Sequence, residues 1–165
     1  MVERCVRDAE VTGSNPAAPR VVYRGSPVIV FNRFSLEAKH VLRAAEQACR
    51  NYNHYYVGVE HVLLALLEER DAEVDRRLSV RGVQTAEVHA ALRHALGTGD
   101  DRMWEGILVT PRLRTVFGLA EASAGCGKVE PFHLLDAISE EGGGLAAEIL
   151  ADAQGYLRGS RRVAG

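Results

Sequence analysis

No stretch of this chain approaches the roughly 20 consecutive apolar residues that a helix needs to cross a bilayer; the longest runs, such as Val62 to Leu67, fall far short. No membrane span is expected. Cysteine is scarce: Cys5, Cys49 and Cys126 are odd in number and none lies in a Cys-x-x-Cys pair. That argues against a disulfide frame or a zinc site and for reduced thiols in a cytoplasmic protein. The start lacks the apolar segment of a secretory signal, with Gly13, Asn15, Pro16 and Pro19 scattered among charges. A charge excess is missing too. The 20 basic and 22 acidic side chains leave a net charge of −2, which gives no electrostatic ground for nucleic-acid binding.

What remains is the composition of an ordinary globular domain: 165 residues, 47% hydrophobic and 25% charged, enough for one core. The near-neutral total hides a division. From Phe34 to Gln154 the chain has 12 basic and 19 acidic residues, a net of −7, and the two ends together carry +5. Residues 1–32 show neither helical nor strand period and read as a flexible leader. Gly155 to Gly165, with Arg158, Arg161 and Arg162, reads as a frayed basic tail.

Between those ends apolar residues recur at helical spacing. Phe34, Ala38, Val41, Leu42, Ala45, Cys49 and Tyr52 form one stripe, with Ser35 as N-cap and Glu37 in the first turn. Val59, Val62, Leu63, Leu66 and Leu67 make a second helix starting at Gly58; Val74 and Leu78 a third, closed by Gly82; Val88, Leu92 and Leu96 a fourth, stopped by Gly97. Residues 97–107, rich in glycine and acid, read as a linker.

The pattern then restarts. Thr110-Pro111 is an N-cap followed by proline at the first helical position, Leu113, Val116, Phe117 and Ala120 continue a stripe, and Pro131 opens a helix with Leu134, Leu135 and Ile138 inward. Leu145, Ile149 and Leu150 supply another. Ser35 falls on Thr110 at an offset of 75 and His61 on His133 at an offset of 72, reconciled by a three-residue deletion. The expected fold is all-α: a pseudo-two-fold double repeat of a four-helix motif, about seven helices, with repeat one at 33–96 and repeat two at 108–154. The second copy lacks a clear fourth helix because Gly155 interrupts it. No run reads as a strand.

The motif residues are specific. Arg33-Phe34-Ser35 before a long helix, the run Asn53-His54-Tyr55-Tyr56-Val57-Gly58-Val59-Glu60-His61 before the leucines, and Leu108-Val109-Thr110-Pro111-Arg112 in the second copy together resemble the double-repeat N-terminal domain of Clp unfoldases. The resemblance covers about Arg33 to Leu150. It implies a substrate-receptor domain, usually joined to ATPase modules that feed a peptidase. No G-x-x-x-x-G-K-[ST] occurs, since Gly127-Lys128 is followed by Val129 and position 122 is alanine. ATP hydrolysis is therefore not expected of this chain, which reads as a free-standing adaptor or decoy, or as a piece of a larger unfoldase. The implied partners are client proteins or peptides, and a Clp unfoldase or adaptor, with self-association as a further possibility; no cofactor or metal is implied.

In the ClpC-like branch each repeat binds phosphorylated arginine. Carried over by position, Ser35 takes the hydroxyl place and Glu60 the carboxylate place in repeat one, with Gly58 and His61 as motif residues. In repeat two Thr110 keeps the hydroxyl and His133 matches His61, but Phe132 replaces the glutamate and Glu130 the glycine. Val59 stands where the family has threonine.

Plainer readings stand beside these. Ser35 and Thr110 are adequate N-caps, and Glu60 suits the start of a helix dipole. His61 and His133, repeat-equivalent and beside apolar runs, read as buried, hydrogen-bonded structural residues. His89 and His94 read as solvated, Met103 and Trp104 as a lid on the core. Two rival functions remain: a scaffold or dimerisation domain that has lost its client site, for which Phe132 speaks, and a small helical metal enzyme using His54, His61 and Glu60.

Overall fold

A computed structural model describes residues 31–99 and 108–160. The leader to residue 30, the linker from Asp100 with Met103 and Trp104, and tail residues 161–165 lie outside the described residues. A 3-10 turn at Phe31–Arg33 leads into α1 (Leu36–Asn51), followed by β1 (Tyr56–Val57), α2 (Val59–Glu69), α3 (Ala72–Val80), α4 (Thr85–Leu96), β2 (Leu108–Val109), α5 (Pro111–Ser123), α6 (Pro131–Glu141) and α7 (Gly144–Ser160). The fold is all-helical apart from two very short strands. Among the described residues no helix is long and apolar enough to cross a membrane.

Local chemistry places the helix starts. The Ser35 side chain accepts from the Ala38 N–H at 3.1 Å and the Thr110 side chain from the Leu113 N–H at 3.3 Å, each satisfying one of the orphan donors that open a helix. The second helix of each copy uses histidine instead. His61 Nδ1 accepts from the Gly58 N–H at 3.1 Å, and His133 Nδ1 from the Glu130 N–H at 3.0 Å. The apolar faces then fix the packing. In α2 the run from His61 to Leu67 is buried throughout, as befits a helix enclosed on all sides; it packs on α1, α4, α6 and α7. One continuous core links both copies. Phe34, at the head of the first, meets Phe117 of α5 edge-to-face with ring centroids 5.8 Å apart, a preferred aromatic geometry.

The repeat extends to the backbone. Asn53 and Gly125 both take left-handed conformations (φ 56°), as do Arg70 and Gly142 (φ 51° and 66°), at the same 72-residue offset. The second copy uses glycine where the first tolerates a side chain.

Three features differ from the sequence expectation. First, strands exist: β1 and β2 pair in parallel, Tyr56 with Leu108 and Val57 with Val109, and Phe34 forms a parallel bridge with Val129. Two-residue strands leave no alternation to read. Second, Gly155 lies inside α7, which runs as one helix to Ser160 where the first copy breaks into α3 and α4. The thiols also divide. Cys49 is free and buried, whereas Cys126 is disulfide-bonded, so the expectation of reduced thiols fails at Cys126. The Cys49 Sγ donates to the carbonyls of His54 and Tyr56. Burial, then the Glu46 charge, pushes this thiol up to about 11, the behaviour of an inert core cysteine.

Candidate functional site

The strand pairing decides which residues meet. The Ser35 N–H donates to the Val129 carbonyl at 2.9 Å, and the Thr110 N–H to the Val57 carbonyl at 3.1 Å. Val57 and Val129 are themselves repeat-equivalent, so the entry to each copy's first helix is bound to the entry of the other copy's second helix. Glu60 and Thr110 consequently line the same cleft, of about 270 Å³, together with Tyr56, His54, Arg112 and Leu145.

Ser35 is not among the residues lining that cleft. It is buried at 3% exposure and stands with Val129 and the start of α6, the half where Phe132 replaces the carboxylate. Pairing Ser35 with Glu60, as equivalence within a single repeat implies, does not match the geometry. The alignment of repeats identifies equivalent residues, whereas the two-fold arrangement makes neighbours of non-equivalent ones.

Glu60 occupies the first turn of α2, a favourable place for a carboxylate. Gly58 makes room for it. A Cβ at position 58 would collide with the Glu60 carboxylate, although the backbone there (φ −101°) suits any residue. Across the cleft, Thr110 caps α5 and Arg112 follows in its first turn. The Arg112 guanidinium lies over Gly143 and Gly144, where any Cβ would meet it, and its Nε is 3.7 Å from Glu141 Oε1. The cleft thus presents one carboxylate on one side, and a hydroxyl, a helix start and a guanidinium on the other. Chemically, that arrangement is complementary to a group carrying both a positive and a negative charge.

Beneath it, His61 is fully buried. Because its Nδ1 accepts from Gly58, its proton resides on Nε2, which faces His54 Nδ1 at 2.9 Å. Burial first, and His54 second, hold His61 down to about 4, so it is neutral at pH 7. The two imidazoles spend their facing nitrogens on each other, and among the described residues no three His, Cys, Asp or Glu side chains cluster as a metal site. His133 is likewise lowered, by burial and then by Arg77. His54 and Tyr56 stack with centroids 5.7 Å apart, which ties the histidine pair to the cleft wall.

Sequence reasoning missed Arg112, Tyr56 and Leu145 as cleft residues. Arg112 sits inside the Thr110-Pro111-Arg112 motif, and the Gly143-Gly144 pair that admits its side chain is the one signal that could have drawn attention to it.

Comparison with known proteins agrees with this architecture. A family model described as the Clp repeat (R) N-terminal domain matches residues 33–125. The chloroplastic ClpA homolog of the ATP-dependent Clp protease ATP-binding subunit from Solanum lycopersicum is 29% identical over 90% of this chain and 17% of its own length. The negative regulator of genetic competence ClpC/MecB of Bacillus subtilis is 30% identical over 74% of this chain and 15% of its own length. This chain therefore spans only a small part of these relatives. A solved structure from work on a malarial protein secretion system superposes with a TM-score of 0.62 at 22% identity, covering 74% of this chain and 85% of the other; it supports the fold alone.

Proposed function

This chain belongs to the Clp repeat (R) N-terminal domain family, and we propose that it acts as a non-catalytic receptor whose inter-repeat cleft holds a phosphorylated arginine side chain of a client protein, on behalf of a Clp-type unfoldase or as its adaptor. One observation carries this reading: Glu60 from one copy and Thr110 with Arg112 from the other share a single cleft. The carboxylate suits the guanidinium of the ligand. The Thr110 hydroxyl, the start of α5 and Arg112 suit its phosphoryl group. Charge-assisted contacts of this kind contribute roughly 1.5–3 kcal/mol each. The surplus of acidic over basic residues between Phe34 and Gln154 favours arginine-bearing segments at long range.

The test is a titration with a phosphoarginine peptide and its unphosphorylated twin. The parent chain binds the marked peptide in preference, and Glu60→Ala loses at least tenfold in affinity. Equal, weak binding by parent and variant removes the reading. A scaffold role draws on Phe132, which takes the carboxylate's place in the second copy. Co-purification of a self-dimer without an unfoldase would favour it.

A further inference from the structure

The 72-residue symmetry that relates Val57 to Val129 and His61 to His133 also relates Glu60 to Phe132, so the position of Glu60 has its symmetry-related counterpart at Phe132. There the structure holds an arginine already. The Arg77 guanidinium carbon lies 4.3 Å from the centroid of the Phe132 ring, in cation–π range. Its nitrogens are held by Glu73 at 2.9 Å and, in a shorter contact, by Asp136. Arg81 bonds the other Asp136 oxygen at 2.5 Å and Ser139 at 2.9 Å. Arg77 and Asp136 are about a quarter exposed, a setting in which ion pairs are screened less than on an open surface.

The opposite seam has no such device. The counterparts of Arg77 and Asp136 are Ile149 and Leu64, so the cation that covers Phe132 has no equivalent on the α7 side of Glu60. Replacing a carboxylate by a phenyl ring removes the partner that an external guanidinium needs, and the ring then serves as the floor for an internal one.

We propose that Arg77 closes the second, symmetry-related position from within, leaving the chain with one ligand position per molecule. This rests on the receptor reading above and adds its valency: the ligand class is a singly marked segment, and two marks on one client bring no gain in affinity from a single copy of this chain.

Calorimetric titration with a phosphoarginine peptide tests it on four chains. The parent binds one peptide. Arg77→Gln also binds one, because Phe132 still offers no carboxylate. Phe132→Glu binds one, because the new carboxylate pairs with Arg77. Only Phe132→Glu/Arg77→Gln, in a Glu37→Arg background that restores the counterpart of Arg112 at the 75-residue offset, binds two. Arg77→Met, which keeps the packing on the ring, replaces Arg77→Gln if thermal melting shows that variant unfolded. Two peptides on the parent or on Phe132→Glu alone, or one on the combined variant, overturns the closure while leaving the receptor reading intact. No heat with any of the four chains overturns both.

Discussion

The Thr110 N–H donates to the Val57 carbonyl at 3.1 Å, and this bond joins the hydroxyl-bearing start of one repeat to the carboxylate-bearing start of the other. Its symmetry mate runs from Ser35 to Val129. On the receptor reading proposed above, the binding unit is therefore a half-site from each repeat.

Ser35 and Thr110 do equal work for their helices and unequal work for the cleft. Ser35→Ala and Thr110→Ala should each cost about 1 kcal/mol of stability through the lost cap. Only Thr110→Ala should weaken phosphoarginine-peptide binding, by roughly tenfold for one lost hydrogen bond to a charged group. Urea titration measures the first effect and calorimetry the second.

Gly58→Ala separates space from backbone strain. The ordinary φ at this position permits alanine, yet the added methyl displaces the Glu60 carboxylate. Stability should change by less than about 1 kcal/mol while peptide affinity falls at least fivefold, read from the same two experiments.

The His61–His54 pair makes the fold sensitive to acid. His61 titrates at about 4 in the fold against 6.5 without it, so the unfolded chain takes up the proton first. Stability is accordingly full above pH 6.5 and falls as pH drops toward 4, by roughly 2–3 kcal/mol for this one group. Urea midpoints of the parent and of His61→Gln between pH 7 and 4.5 should converge, because the variant has no imidazole at this place to protonate. Parallel curves would count against the buried neutral pair.

Phe34 belongs to the first repeat but packs on Phe117 of the second. Phe34→Ala should cost about 3–5 kcal/mol and lower one cooperative transition, not split it into two. Overlaid circular dichroism and fluorescence melts check this.

Much of this architecture is legible in the sequence because its causes are local. The Leu113–Val116–Phe117–Ala120 stripe, the caps at Ser35 and Thr110, and the proline openings of α5 and α6 each signal a helix through one turn of chain. Gly142 announces a left-handed helix end, whereas Arg70 adopts the same geometry without any such mark. The cleft was legible in its members but not in its partnership. Glu60 and Thr110 stand out as motif residues, yet which hydroxyl faces which carboxylate depends on how two copies dock through strands only two residues long. Arg77 gave no local signal at all, since its role depends on Phe132 and Asp136, more than fifty residues away in the chain.

The claim that Glu60 and Thr110 form one site across the repeats is tested most directly by double-mutant cycles on phosphoarginine-peptide affinity. Glu60→Gln with Thr110→Ala should show a coupling of about 1 kcal/mol or more, and Glu60→Gln with Ser35→Ala should be additive within about 0.5 kcal/mol. Coupling of Glu60 to Ser35 together with additivity for Thr110 would contradict the account.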